Sequence, residues 1–311
     1  MALVPNKTSV ASTDKRIAVV TGGNKGIGLE ICRQLASKED VMVILTARNE
    51  TRAMEAIQDL KVSGVVDVVF HQLDIKDPKS IATLAQFVQA QYQKLDILVN
   101  NAAENGIIVH HDKFRAFKDG AGYEHVYDEN VHLFAGIIEE PYDLGQECIK
   151  TNYYGTKAVT EAFLPLLQLS NSPRVVNVSS NYGELFWIRN EKVKAEFLDI
   201  DNLTEERIDG IIQWYLRDFK ANKLSENGWP LTCTAYKIAK AAVNAYTRLL
   251  ARKYPKVLVN CVHPGYVKTD ITSHTGHLTP EQGAKAPVMA ALLPDNGPSG
   301  VYFNQMEITP F

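Results

Sequence analysis

The segment Thr21-Gly22-Gly23-Asn24-Lys25-Gly26-Ile27-Gly28 is the most informative stretch near the start of the chain. It joins a short β-rich run, Ile17–Thr21, to an amphipathic stretch, Ile27–Ser37, whose apolar residues recur every four positions. Its G-x-x-x-G-x-G spacing is neither the usual dinucleotide G-x-G-x-x-G nor a Walker P-loop. Glycines nevertheless permit a tight turn, and the helix that follows presents free N–H groups to a phosphate. The turn therefore predicts a nucleotide-cofactor site.

Outward from this turn, short apolar runs alternate with helical stretches along the whole chain. The predicted strands after the first are Val41–Ala47, Val68–Leu73, Ile97–Val99, Arg174–Val178 and Val257–Val262. The predicted helices after the first are Thr51–Leu60, Lys79–Tyr92, Leu144–Leu167, Ala235–Tyr254 and Pro280–Leu293. The strands are apolar runs without clean alternation, as expected when helices cover both faces of a sheet. This rhythm predicts an α/β fold, a single Rossmann-like doubly wound parallel sheet.

Two long inserts, at about 104–143 and 183–234, interrupt the rhythm. Both exceed the ~12–15 residues at which plain loops become uncommon. The second contains Thr204–Asn222, whose apolar positions predict an extra amphipathic helix. We expect one domain over 15–311 and a flexible tail over 1–14.

Composition excludes several classes of protein. The 311 residues carry a net charge of −3 and contain no basic block, which argues against a nucleic-acid partner. No apolar run approaches the ~18 residues of a membrane span, and the polar start of the chain does not resemble a secretory signal. The four cysteines are widely spaced, so a reducing compartment, the cytosol, is expected.

The end of the second strand predicts the type of cofactor. An acidic residue there binds the ribose 2′-OH of NAD, whereas an arginine accommodates a 2′-phosphate. This strand ends in Thr46-Ala47-Arg48, and Lys25 in the glycine turn is a second cation. Two positive groups favour NADPH over NADH.

An ordered set of motifs resembles the short-chain dehydrogenase/reductase family along nearly the whole chain. The set comprises the glycine turn, Asp74, Asn100-Asn101-Ala102, Asn152, Ser179-Ser180, Tyr236-x-x-x-Lys240, Pro264-Gly265 and Thr269. Three features resemble a plant branch of ketone reductases. They are the two long inserts, the motif Asn227-Gly228-Trp229-Pro230 and the motif Gly297-Pro298-Ser299-Gly300. Because Ala103 replaces the glycine that usually follows Asn-Asn-Ala, the loop beside the cofactor is expected to shift.

The resemblance implies the catalytic residues Asn152, Ser180, Tyr236 and Lys240. A reductase must deliver a hydride to a carbonyl carbon and a proton to its oxygen. Tyr236 is the candidate acid, and Lys240, four residues later on one helix face, is expected to lower the pKa of the phenol. Ser180 would donate to the developing oxyanion, and Asn152 would hold a water that links Lys240 to solvent.

The resemblance also implies the cofactor contacts. Asp74 would bind the adenine amino group beside Ile75, Asn101 would lie near the adenosine ribose, and Thr269 would hold the carboxamide. The predicted cofactor-binding residues are Gly22, Asn24, Lys25, Gly26, Ile27, Gly28, Arg48, Asp74, Ile75, Asn101, Tyr236, Lys240 and Thr269.

Some motifs of the chain also allow other interpretations. Tyr153-x-x-x-Lys157 has the same spacing as the catalytic pair but follows no strand-end serine, so it is interpreted as structural. The chain has no G-x-S-x-G elbow, which argues against a hydrolase. The histidines of the first insert lack metal-site spacing, so no metal is expected. A non-redox cyclase or dehydratase and a nucleotide-sensing regulator remain alternatives on this fold.

The first insert is rich in aromatic residues and is predicted to form a lid over an apolar pocket. These residues are Phe114, Phe117, Tyr123, Tyr127 and Phe134. Phe186 and Trp187 are expected to form the opposite wall. Such a pocket suits a bulky apolar cyclic ketone of the terpenoid or alkaloid type. The apolar stripe of the extra helix is expected to cover the usual dimer face, which predicts a monomer.

Overall fold

The apolar runs form one eight-stranded sheet in the computed structural model, which describes residues 15–110, 112–114, 117 and 131–311. The strands are β1 Arg16–Val20, β2 Val41–Ala47, β3 Val68–Gln72, β4 Ile97–Asn100, β5 Ile108–Val109, β6 Ile138–Glu139, β7 Arg174–Val178, β8 Leu258–His263, β9 Tyr302–Asn304 and β10 Glu307–Thr309. The main sheet has the order β3-β2-β1-β4-β7-β8-β9-β10, while β5 and β6 form a separate antiparallel pair. Its pairs are parallel from β3 to β9, and β10 is antiparallel to β9. The predicted Rossmann-like sheet is thereby confirmed.

Helices cover both faces of this sheet. They are α1 Gly26–Ala36, α2 Glu50–Val62, α3 Pro78–Tyr92, α4 Tyr142–Ile149, α5 Thr156–Leu167, α6 Glu191–Leu198, α7 Glu205–Lys220, α8 Thr234–Lys253 and α9 Pro280–Ala291. A π-helical segment, Lys150–Gly155, joins α4 to α5. In the part of the chain that the structure describes, no helix is long and apolar enough to cross a membrane.

Alternation along the strands divides the buried side chains between two cores. In β1, Ile17 and Val19 belong to the core beneath α3, α5 and α8. Ala18 and Val20 belong to the core beneath α1, α2 and α9. Because successive strand residues point to opposite faces, an apolar run with no polar alternation is required here.

The second insert packs against the helix that carries Tyr236. The predicted helix is α7, and its N-cap Thr204 accepts a hydrogen bond from Arg207 N at 3.2 Å. Its apolar stripe is buried and consists of Ile208, Ile211, Ile212 and Leu216. Helix α7 lies against α8 and α4. The predicted burial of the stripe is confirmed.

The major elements begin and end within a few residues of their predicted bounds. The sequence analysis missed β5, β6, β9 and β10, each two or three residues long, because such short runs carry no readable periodicity. It also missed α6 in the second insert and the π-helical turn within Leu144–Leu167. The predicted tail over 1–14 lies outside the described residues.

Candidate active site

A cavity of about 720 Å³ lies at the carboxyl ends of the parallel strands. The ends of β1, β2, β3, β4 and β7 all reach it, as does the first turn of α8. Ligands of open α/β sheets bind at this edge, where the strand order reverses between β1 and β4. Every predicted cofactor-binding residue lines the cavity.

The glycine turn forms the floor at one end of the cavity. Gly22 and Gly26 have φ values of 64° and 54°, a left-handed backbone that side chains disfavour. The Asn101 amide donates to the carbonyl oxygens of Thr21 at 3.0 Å and Gly22 at 3.2 Å. Asn101 therefore holds the shape of the turn, a role that the sequence did not indicate.

The N-terminus of α1 suits an anionic group. Its N-cap residue, Lys25, makes no side-chain cap hydrogen bond, and no acidic residue lies in the first turn. The first amide groups of a helix carry partial positive charge and need acceptors. Together with the turn, these groups fit the pyrophosphate of a dinucleotide cofactor.

Both predicted cations of the 2′-phosphate site lie in the cavity wall, each beside a carboxylate. Arg48 Nη1 lies 3.4 Å from Glu104 Oε1, and the Arg48 side chain is 60% exposed. Lys25 pairs with Asp270, which lowers the pKa of that carboxyl. Neither carboxylate was predicted, because Glu104 and Asp270 are distant from their partners in sequence.

A third cation, Lys76, was also missed. It lines the cavity beside Asp74 and Ile75, and its Nζ lies 2.9 Å from Glu147 Oε2 and 4.0 Å from Glu104 Oε1. The hydrogen bond to Glu147 raises the pKa of Lys76, so the ammonium stays charged. Asp74 Oδ1 accepts from Lys76 N at 2.9 Å, which fixes the turn after β3.

Thr269 lies beside the N-terminus of α1. It is the N-cap of a single 3₁₀ turn, Asp270–Thr272, and exchanges capping hydrogen bonds with Thr272. A Cβ at Gly26 would lie 3.3 Å from the Thr269 methyl group. The Thr269 methyl group thus lies beside the glycine turn, while the hydroxyl donates to Val267 O at 3.5 Å.

The predicted catalytic residues Ser180, Tyr236 and Lys240 also line the cavity. Ser180 follows β7, and its Oγ accepts from Tyr182 N at 3.1 Å, which caps the short turn Asn181–Gly183. Tyr236 lies in the first turn of α8, and Lys240 follows one turn later. Lys240 Nζ lies 5.5 Å from the centroid of the Tyr236 ring and donates to Val178 O at 2.7 Å.

Burial controls the charges of this pair. It raises the pKa of the Tyr236 phenol, with a hydrogen bond to Ser180 acting in the opposite direction. It lowers the pKa of Lys240 to about 8, because a buried ammonium loses hydration. The direction of the Tyr236 pKa is set by desolvation, and the lowering expected from Lys240 stays a prediction. A phenol that keeps its proton at neutral pH is the form that a proton donor needs.

Asn152 lies in the π-helical segment, behind the cavity wall. Its Oδ1 accepts from Glu104 N and its Nδ2 donates to Glu104 O, both at 2.8 Å. A third contact joins its amide to Cys148 Sγ at 3.2 Å. Both polar groups of the Asn152 side chain thus hold the backbone of Glu104. The water-holding role implied by the resemblance remains a hypothesis.

The second Tyr-x-x-x-Lys pair is structural, as predicted. Tyr153 is fully buried in the core, and its ring lies 6.1 Å from that of Tyr246. Lys157 Nζ lies 3.1 Å from Asp209 Oδ2 and 3.2 Å from Glu205 Oε2. Neither residue lines the cavity.

The described part of the first insert supplies apolar walls. Its cavity-lining residues include Ile107, Val109, Phe114, Phe134 and Ile138. The rings of Phe117 and Phe134 lie 4.7 Å apart. Tyr123 and Tyr127, which were also assigned to the lid, lie outside the described residues.

The opposite wall differs from the expectation. Phe186 is 72% exposed, and neither Phe186 nor Trp187 lines the cavity. Trp187 is buried, and its Nε1 donates to Asn181 O at 2.8 Å. Tyr182 lines the cavity instead, with its ring 5.0 Å from Trp187 and 6.4 Å from Tyr236. The 3₁₀ turns after Ser180 rotate Phe186 outward, which sequence spacing could not show.

The sequence of the chain matches two known protein families. The family described as short chain dehydrogenase matches residues 16–191, more than half of the chain. A second family, described as Enoyl-(Acyl carrier protein) reductase, matches residues 223–296.

The chain belongs to the short-chain dehydrogenase family.

Similar proteins support this membership over most of the chain. A salutaridine reductase of Papaver bracteatum is 50% identical over 305 residues, 96% of this chain and 97% of that protein. A (+)-neomenthol dehydrogenase of Arabidopsis thaliana is 50% identical over 306 residues, 97% of this chain and 100% of that protein. The solved structure of salutaridine reductase from Papaver somniferum superposes with a TM-score of 0.85 at 49% identity, covering 93% of this chain and 99% of that one. The predicted likeness to a plant reductase branch is confirmed.

Members of this family use a nicotinamide cofactor, and the residues that line the cavity fit one. A more distant relative, the mouse protein named carbonyl reductase [NADPH] 1, is 34% identical over 309 residues, 96% of this chain and 100% of that protein. Among the described residues, no group of three or more His, Cys, Asp or Glu side chains is arranged to hold a metal ion.

Proposed function

We propose that this protein is an NADPH-dependent reductase of a bulky apolar cyclic ketone of the terpenoid or alkaloid type. The observation that carries the proposal is one cavity lined both by Tyr236, Ser180 and Lys240 and by the glycine turn with Arg48. A dinucleotide bound along the glycine turn would share this cavity with the phenol. When bound, NADPH supplies the hydride that reduces the carbonyl carbon.

The chain's own residues handle the proton and the charge. Tyr236 gives its phenolic proton to the carbonyl oxygen, and Ser180 donates a hydrogen bond to that oxygen as negative charge develops. The raised pKa of Tyr236 keeps the donor protonated before the reaction. Lys240, whose pKa is lowered to about 8, can return a proton to the phenolate at neutral pH.

NADPH rather than NADH is proposed because three cations line the cavity after the carboxyl ends of β1, β2 and β3. They are Lys25, Arg48 and Lys76. A 2′-phosphate carries two negative charges and forms strong charge-assisted hydrogen bonds with such groups. In this proposal the phosphate competes with Glu104 for Arg48 and with Asp270 for Lys25.

The apolar part of the cavity supports the substrate class. Ile107, Val109, Phe114, Phe134 and Ile138 form a wall with few polar groups, which favours large apolar ligands over sugars. The four cysteines are free and buried, which supports our proposal of a reducing compartment, the cytosol.

The test is to follow NADPH absorbance with menthone, salutaridine and a sugar-sized polar carbonyl, and to identify the products. We expect NADPH oxidation with formation of an alcohol, faster with the cyclic ketones. Product formation without NADPH oxidation would instead identify a cyclase or dehydratase. Tight nucleotide binding with no turnover of any ketone would identify a regulator. Faster reduction of the polar carbonyl would refute the apolar substrate class.

A further inference from the structure

Glu140 places a carboxylate at the N-terminus of α8, the helix that carries Tyr236 and Lys240. The residue directly follows β6, where the first insert returns to the main fold. Its Oε2 accepts from Thr234 N at 2.9 Å, and its Oε1 accepts from Ala235 N at 2.8 Å and Thr234 Oγ1 at 3.0 Å. Nothing in the proposed reaction uses this carboxylate.

Helix α8 lacks a cap of its own. Its N-cap residue, Cys233, has φ of 48° and makes no side-chain cap hydrogen bond. The first amide groups of a helix must find acceptors, and a negative charge there also interacts favourably with the helix dipole. Glu140 supplies both the acceptors and the negative charge, although it precedes α8 by more than ninety positions. Burial raises the pKa of Glu140, whereas the hydrogen bonds from α8 favour its charged form.

The second insert reaches the same point. The hydroxyl groups of Tyr215 in α7 and Thr234 lie 2.6 Å apart. Tyr215 is fully buried, with its ring 5.5 Å from that of Trp229. One residue from each insert therefore contacts Thr234, two positions before Tyr236.

We propose that Glu140 is a positioning residue for the proton donor, and that Tyr215 supports it through Thr234. The three hydrogen bonds hold the first turn of α8, so the Tyr236 phenol keeps a constant place relative to Ser180. Hydride and proton transfer require donors aligned to within a fraction of an ångström. The inference rests on the proposed ketone reduction.

The test compares Glu140→Gln, Glu140→Ala and Tyr215→Phe with the wild-type full-length protein. We expect kcat to fall about tenfold in Glu140→Gln and further in Glu140→Ala, because misplacement by ~1 Å can cost about a hundredfold. Glutamine keeps one acceptor but turns an NH₂ group toward Thr234 N, so it is the milder change. The Kd for NADPH, measured by fluorescence, and the KM for the ketone should stay within about twofold, because neither residue lines the cavity.

A second readout does not depend on turnover. Hydrogen–deuterium exchange of a peptide covering Thr234 and Ala235 should accelerate in both Glu140 variants, because both amides lose their acceptor in Glu140→Ala and one of them does in Glu140→Gln. The matched control is Asn190→Ala. Asn190 caps α6 through the amides of Lys192 and Val193, away from the cavity. This control should lose a helix cap and keep its kcat.

The outcomes separate this inference from the proposed function. No NADPH oxidation by the wild type with any ketone would refute the proposed function. An active wild type with unchanged kcat and unchanged exchange in Glu140→Gln would overturn the positioning role, as would an equal loss of kcat in Asn190→Ala. Where Glu140→Ala does not fold, Glu140→Gln and Tyr215→Phe, which preserve volume, decide the matter.

Discussion

At the scale of single residues, the phenol of Tyr236 is the group on which the proposed chemistry depends. Tyr236→Phe removes only the hydroxyl group of a ring that packs against Tyr182. We expect kcat to fall by about 10² to 10⁴, the usual contribution of a positioned acid, with the Kd for NADPH unchanged. Steady-state kinetics and fluorescence titration measure the two quantities. A kcat near that of the wild type would contradict the acid assignment.

Arg48 determines the cofactor preference in our proposal. Arg48→Glu should weaken NADPH binding about tenfold or more and bring the Kd for NADH below that for NADPH, because a carboxylate repels the 2′-phosphate. Arg52→Glu makes the same charge change at an exposed position of α2 that does not line the cavity. This control should leave the ratio of the two dissociation constants unchanged. Similar wild-type constants for the two cofactors at low salt would refute the preference.

Lys240 should destabilise the fold at neutral pH. Its pKa is lowered to about 8 in the folded state, so the unfolded chain binds the proton more tightly between about pH 8 and its ordinary value of 10.5. The contribution of Lys240 to the free energy of unfolding is therefore lowest below pH 8 and rises as the pH increases from about 8 to 10.5. Lys240→Met should therefore raise the free energy of unfolding at pH 7. This gain should be about 3 kcal/mol smaller at pH 10.5 than at pH 7. Urea denaturation at several pH values measures this, and a pH-independent difference would contradict the lowered pKa.

At the scale of elements, the structure explains the Asn227-Gly228-Trp229-Pro230 motif. Asp218 of α7 accepts from Asn227 Nδ2 at 2.7 Å and from Trp229 Nε1 at 2.8 Å. Trp229 is fully buried. The motif therefore locks the end of the second insert onto its own helix.

Asp218→Ala should lower the free energy of unfolding by about 2–4 kcal/mol, because it leaves two donors without their acceptor. The control is Asp201→Ala, since Asp201 is 82% exposed and pairs with Arg252 at the surface. Such a pair contributes less than about 1 kcal/mol. Chemical denaturation compares the variants, and equal losses would contradict the locking role.

At the scale of the whole molecule, α7 bears on the oligomeric state. Helix α7 buries its apolar stripe and contacts α8 and α4. The family resemblance implies that the helices predicted over Leu144–Leu167 and Ala235–Tyr254 form the common dimer surface. Because this face is covered from within the chain, we predict a monomer. Light scattering at micromolar concentration should give a mass near 34.6 kDa. A stable species of twice that mass would refute the internal cover.

The doubly wound sheet and the glycine turn could be predicted from spacing along the chain, since strand and helix periodicities are local geometry. Spacing alone did not separate Tyr236–Lys240 from Tyr153–Lys157, and that choice came from the family resemblance. The buried apolar face of α7 was predictable for the same reason. Family resemblance added the order of the motifs, which no single spacing could supply.

Contacts between residues far apart in the sequence became visible in the folded chain alone. Arg48 lies beside Glu104, 56 residues away, and Lys25 lies beside Asp270, 245 residues away. The start of α8 meets Glu140, which lies about 95 residues earlier in the chain. In the folded chain, Phe186 is exposed and does not line the cavity. Burial raises the pKa of Tyr236, for which a lowered pKa was expected. These outcomes depend on how loops pack and on how much water they exclude. Neither quantity is encoded in the spacing of residues along one strand or helix.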